Sequence, residues 1–145
     1  MRARSVVPAG EWDRSREVDR VDAVYDDRHR RRVVFYTASG GEVLLDLAQA
    51  RHMHDGDGLV LDDDEGFVRV CATPERLLEI TADGPHHLLR LAWHLGNRHL
   101  PTALEDDRLM IREDHVIADM VRGLGGKVRE VEAAFDPETG AYHEH

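Results

Sequence analysis

Hydrophobic and polar positions change their period partway along this chain. In the first half the apolar residues come in short, dense runs broken by turn residues. "RVVFYT" (32–37) is rich in β-branched and aromatic side chains, "ASGG" (38–41) supplies a turn, and "EVLLDL" (42–47) reads as the return strand of a hairpin. "DGDGLVL" (55–61) and "GFVRVCA" (66–72) repeat that arrangement around the acidic turn "DDDE" (62–65). No helical stripe of useful length occurs there, although "LLDLAQA" (44–50) is compatible with one short helical turn.

The second half alternates between the two periods. "PERLLEIT" (74–81) predicts a strand. "DGP" (83–85) offers a helix start with Pro85 in the first turn, and "HHLLRLAWHLGNR" (86–98) sets Leu88, Ala92 and Leu95 at helical spacing. "PTALED" (101–106) and "RLMIRE" (108–113) predict two short strands around an acidic turn. Asp114 is placed to cap a second helix, "HVIADMVRGLGG" (115–126), whose Ile117, Met120, Val121 and Leu124 share one stripe. Gly123, Gly125 and Gly126 supply its end, and "KVREVEAAF" (127–135) alternates like a final strand. The resulting order, β-α-β-β-α-β, is the split βαβ or ferredoxin-like pattern. The expected fold class is therefore α+β. A small β-rich domain over 1–72 precedes a ferredoxin-like domain over 73–136, and a flexible, turn-rich tail occupies 137–145. That pattern hosts many functions and selects none.

Composition narrows the choice. The chain has 145 residues and a formal net charge of −10, which argues against a nucleic-acid binder and fits a cationic partner such as a metal ion. The basic run "RHRRR" (28–32) reads as a solvated edge or loop, its field diluted by Asp19, Asp22, Asp26 and Asp27. Cys71 is the single cysteine, so neither an intramolecular disulfide nor a cysteine-pair metal site is available, and it reads as a small core residue. No apolar run approaches the ~20 residues of a membrane span. "MRARSVVPAG" has no apolar signal region, so a cytoplasmic protein without a membrane partner is expected.

Histidine is the conspicuous chemistry, with ten copies crowded toward the C-terminal half. In "LAWHLGNRHLP" (91–101) His94 and His99 stand five apart, which on a helix turns them about 140° from each other. They cannot form a same-face pair, so any co-ligand of either must come from another segment or subunit. His99 continues the stripe of Leu88, Ala92 and Leu95 at a helix end set by Pro101. There it reads either as a ligand meeting a symmetry mate or as a hydrogen-bonded core histidine. A helix C-terminus favours a nearby cation. His115, beside Glu113 and Asp114, reads as an exposed residue that could add to a site. His143 and His145 form a terminal His-x-His able to fold onto an ion. His52 and His54 form another, expected on the surface, and His86 and His87 are expected in solvent at a helix start.

"HLGNRHLP" (94–101), "DHVIADMVRGLGGKV" (114–128) and "AFDPETGAYHEH" (134–145) together resemble the urease accessory protein UreE family of nickel metallochaperones. "DGDGLVLDDDEGFVRVCATPERLLEI" looks like that family's hairpin and domain junction. The resemblance implies a non-enzymatic homodimer whose first domain touches partner proteins and whose second binds metal. It implies that His99 meets its mate across the interface and binds Ni(II), with His143 and His145 as further ligands and His115 as an auxiliary one. Zn(II) or Cu(II) would bind as well. The implied partners are the nickel-handling urease accessory GTPase and the urease apoprotein complex. Glu113 stands where some relatives have a further histidine, which weakens the auxiliary site at His115.

Two other readings compete. A ferredoxin-like RNA- or protein-binding module with incidental metal affinity would need a basic face and stacking aromatics. A hydrolytic metalloenzyme would need a nucleophile–base or metal–base motif, and none is recognisable.

Overall fold

The computed structural model describes residues 1–138. The chain divides into two compact units, Met1–Thr73 and a second beginning at Pro74. The first contains strands β1 (Arg2–Val7), β2 (Glu17–Ala23), β3 (His29–Tyr36), β4 (Glu42–His52), β5 (Gly58–Leu61) and β6 (Phe67–Ala72). The second contains β7 (Pro74–Thr81), α1 (Pro85–Asn97), β8 (Ala103–Leu104), β9 (Leu109–Arg112), α2 (His115–Gly123) and β10 (Lys127–Ala134). The protein is thus a mixed α+β chain with both helices in the C-terminal unit.

The strands of the first unit form one sheet in the order β2-β6-β5-β1-β4-β3. Both expected hairpins are present, β3 with β4 and β5 with β6. Strands β1 and β2, which the residue pattern did not predict, join the same sheet, and β1 runs parallel to β4 as β2 does to β6. The possible helical turn at 44–50 is instead the middle of β4. There Val43, Leu45 and Leu47 alternate inward to a core shared with Ala3, Val21, Leu59, Val68 and Val70. Cys71 lies in β6 but is only half-buried, and Arg69 Nη1 donates to its Sγ at 3.1 Å. Desolvation pushes its thiol above the usual value.

The end of this unit near β4 is held by a buried cation. Arg28 opens the run expected to be solvated, yet its side chain is fully buried. Its Nε donates to the Ala23 carbonyl at 3.2 Å and its Nη1 to the Met53 carbonyl at 3.1 Å. The Met53 amide returns a 2.7 Å bond to the Arg28 carbonyl. The rest of the run, His29–Arg32, forms the start of β3. The basic run is therefore partly an internal clamp, because carbonyls buried at a strand end need donors that water cannot supply.

In the second unit the elements follow β-α-β-β-α-β, and the sheet order is β10-β7-β9-β8 with every neighbouring pair antiparallel. Leu91 and Leu95 of α1 and Ile117, Ala118 and Val121 of α2 bury against Leu78, Ile80, Leu109 and Ile111. The i, i+4 spacing of the helical residues and the i, i+2 spacing of the strand residues place each set on one face. α1 ends at Asn97 with Arg98 as its cap, one residue before the predicted end, and α2 stops at Gly123, leaving Leu124 as its cap.

Arg28→Met keeps an apolar stem in place but strips donors from the Ala23 and Met53 carbonyls. It should destabilise the chain by about 2–4 kcal/mol in urea unfolding; a loss within experimental error would show that the clamp is dispensable.

Candidate metal centre

The centre is decided by how α1 ends. Arg98 is the cap, and the His99 amide donates to the Gly96 carbonyl at 3.0 Å. The Leu100 amide reaches back to the Leu95 carbonyl at 3.4 Å. This pair of bonds is a Schellman motif, and half-buried Leu100 packs on the core that contains Leu95, as that motif favours. The motif requires a left-handed residue at position 99, and His99 has φ of 55°. Its side chain is exposed. It therefore does not continue the stripe of Leu88, Ala92 and Leu95, as the spacing suggested, because the helix has already unwound at Arg98. Neither does it sit in the core.

α2 provides the comparison within the same unit. Its Gly125 amide donates to the Arg122 carbonyl at 3.0 Å and its Gly126 amide to the Val121 carbonyl at 2.9 Å. The left-handed residue there is Gly125, with φ of 88°. The two helices end in the same motif, one through the residue that carries no steric penalty and one through a histidine.

The chain after His99 is fixed as well. Thr102 Oγ1 donates to the Leu100 carbonyl at 2.9 Å, and the Glu138 amide donates to the Thr102 carbonyl at 3.0 Å. Arg98 Nε lies 2.9 Å from Met120 Sδ, joining the α1 cap to α2. His94 is half-buried, edge-on to Trp93 with ring centroids 5.1 Å apart. Along the exposed side of α1, Leu89 is 68% and Trp93 64% exposed. These residues and Gly96 follow one another at helical spacing toward the end where His99 sits.

His115 is the exposed first residue of α2. Asp114 Oδ1 accepts from the Val116 and Ile117 amides at 3.0 and 3.1 Å, as the cap reading required. Its carboxylate is thereby committed to the helix, while Glu113 lies 3.9 Å from Arg76. His99 and His115 thus stand at the ends of different helices. Among the described residues, no three metal-ligating side chains of this unit come together. His143 and His145 lie outside the described residues.

Two histidines differ from expectation. His87 is not simply solvated: the Asp83 amide donates to its Nδ1 at 3.1 Å, leaving Nε2 to donate to the Leu124 carbonyl at 2.9 Å. It ties the start of α1 to the end of α2. His52, expected on the surface, is buried. The signal for both was weak, because each depends on contacts far along the chain.

Comparison with known proteins agrees over the whole length. Residues 3–73 match the sequence model of the UreE urease accessory protein N-terminal domain, and residues 75–145 that of its C-terminal domain. A urease accessory protein UreE of Rhodopseudomonas palustris (strain HaA2) is 59% identical over 124 residues, covering 86% of this chain and 57% of its own. One from Bradyrhizobium sp. (strain ORS 278) is 52% identical over 144 residues, covering 99% of this chain and 68% of its own. One from Rhizobium rhizogenes (strain K84) is 44% identical over 144 residues, covering 99% and 85%. The chain spans 57% of the Rhodopseudomonas relative and 68% of the Bradyrhizobium one.

The helix-end strain can be measured. His99→Gly should be more stable than His99→Ala by about 1 kcal/mol, since glycine alone is unstrained with positive φ. Paired urea melts of the two variants check this, and equal midpoints would mean that residue 99 carries no backbone strain.

Proposed function

The chain belongs to the UreE urease accessory protein family, and on that premise we propose that it is a nickel metallochaperone for urease maturation rather than an enzyme. In this reading Ni(II) is cargo, bound by His99 of each protomer across a homodimer interface. The observation that carries it is the exposed histidine in a left-handed helix cap where the sister helix uses glycine. A strained residue held at a helix end is the kind of feature that persists for function. Neutral imidazoles are suitable ligands for Ni²⁺, and Zn²⁺ and Cu²⁺ would bind too. A site with few protein ligands at a surface leaves coordination positions open to an acceptor.

The same reading assigns the dimer contact to the second unit, where exposed Leu89 and Trp93 lead along α1 toward His99. We assign that unit a ferredoxin-like fold, supported by its element order and by its antiparallel sheet order. The tail histidines His143 and His145 would add ligands, and His115 an auxiliary one. The first unit would dock partners, namely the nickel-handling accessory GTPase and the urease apoprotein complex. No helix among the described residues is long and apolar enough to cross a membrane.

Calorimetric titration with Ni²⁺ at neutral pH tests the centre. His99→Ala should weaken the tightest site at least about tenfold, as loss of a ligand from both protomers demands. Undiminished affinity in that variant overturns the shared site.

Affinity should also fall as pH is lowered from about 8 to about 6, because protons compete for the imidazoles across that range. A flat profile would point to carboxylate ligands instead. For the interface, Trp93→Glu should shift the sedimentation of the metal-free chain toward monomer; an unchanged dimer places the contact elsewhere.

A further inference from the structure

We infer that the first unit carries a metal site of its own, built on His52 and His54, whose ligand nitrogens lie within 4.8 Å of each other, and suited to a divalent transition ion. His29 and His52 are direct partners across β3 and β4, with ring centroids 6.1 Å apart. His54 lies just beyond β4, its ring edge-on to that of His52 at 4.7 Å between centroids. Two imidazoles bound to one ion at metal–nitrogen distances of ~2.0–2.1 Å bring their ring centres to roughly 4.5–6.5 Å. The His52 and His54 rings fall within that span with their nitrogens convergent, and His29 stands beside them as the cross-strand neighbour of His52.

The surrounding chain holds these rings in place. Met53, between the two β4-side histidines, has its carbonyl held by the buried Arg28 side chain and its amide bonded to the Arg28 carbonyl. The next turn is closed by Asp57, which is also buried. Asp57 Oδ2 accepts from the His54 amide at 2.8 Å, and the Asp57 amide donates to the His54 carbonyl at 3.1 Å. Its other oxygen accepts from the Ala9 amide at 3.0 Å, anchoring the turn to the segment after β1. The Tyr25 ring packs on His52 at 5.0 Å. Backbone anchors on both sides of a His-x-His are what a preorganised ligand set needs.

Imidazole donors select borderline ions, so Ni²⁺, Zn²⁺ and Cu²⁺ are the ligand class. The ladder between β3 and β4 explains how these residues meet. Its register shifts between Arg30 and Arg32, so that His29 and Arg30 pair with His52 and Arg51 while Arg32 pairs with Asp46. The irregularity sets off a short stretch of ladder at the His29 end. This site is separate from the one proposed at His99.

The test uses the 145-residue chain carrying His99→Ala, His115→Ala, His143→Ala and His145→Ala, titrated with Ni²⁺ alone and then with Cu²⁺ alone. Uptake of a further ion per chain is expected, and adding His54→Gln should weaken it at least about tenfold with unchanged circular dichroism. No uptake, or uptake indifferent to His54→Gln, overturns the site. Because His52 is buried, its part is read without substitution, from imidazole ¹⁵N resonances of the parent chain. Substoichiometric Ni²⁺ should broaden those of His52 and His54 first, and broadening confined to other histidines overturns the assignment. Failure of the His99 centre is read separately, in the single variant His99→Ala.

Discussion

Helix α1 has to stop before Pro101, and the manner of its stopping decides what the candidate centre can be. Proline disfavours the helical conformation at Leu100, yet the apolar side chain of Leu100 still has to pack on the core beneath Leu95. A chain that must reverse that sharply does so through one left-handed residue, and the register of the bonds to Gly96 and Leu95 makes it His99. The imidazole is thereby lifted off the buried face and presented at the helix end, where the negative end of the helix dipole favours a cation. Continuing the helix through Arg98 and His99 would have returned residue 99 to the stripe. That single torsion takes the residue off the apolar stripe and excludes the core histidine reading.

The C-terminal unit was legible because its signals are local. Pro85 at the start of α1, Asp114 capping α2 and Gly125 ending it each act within one helical turn, and each is used as its chemistry predicts. The alternation of β7 and β10 likewise needs no distant information. His99 stands at the helix end that Pro101 indicates, but off the stripe that the spacing suggests. The 3.6-residue period does not extend past Asn97, where the hydrogen-bond pattern changes, and periodicity carries no mark of that change.

The first unit was legible only where a hairpin announced itself with turn residues. β1 and β2 pair with strands far along the chain, two of those pairings being parallel, so no adjacent turn marks them. Burial of Arg28 was hidden for a similar reason. A basic run looks solvated by composition, and what draws this guanidinium inside is a set of carbonyls contributed by Ala23 and Met53. The same long-range closure moves His52 from an expected surface position into the interior. The sequence motif His-x-His was visible, while the clamp that gives it a fixed shape was not.

The two histidine arrangements therefore differ in a way that bears on handling an ion. His99 is an exposed ring on strained backbone, and in the proposed dimer it supplies one ligand per protomer. An ion held so has vacant positions through which an acceptor's ligands can enter before its own ligands leave, and few bonds to break. His52 and His54 are set by the opposite logic. Their backbone is anchored by Arg28 and Asp57, and rings fixed by neighbours lose little entropy on coordinating. Fixed ligands leave an ion slowly for the same reason that they bind it well, since letting go gains them little freedom. A cargo site favours one exposed ligand per protomer, and a retaining site favours neighbouring rings packed within one unit. The chemistry of the donor is the same imidazole in both, so the difference rests on how many rings one protomer supplies and how far they are exposed.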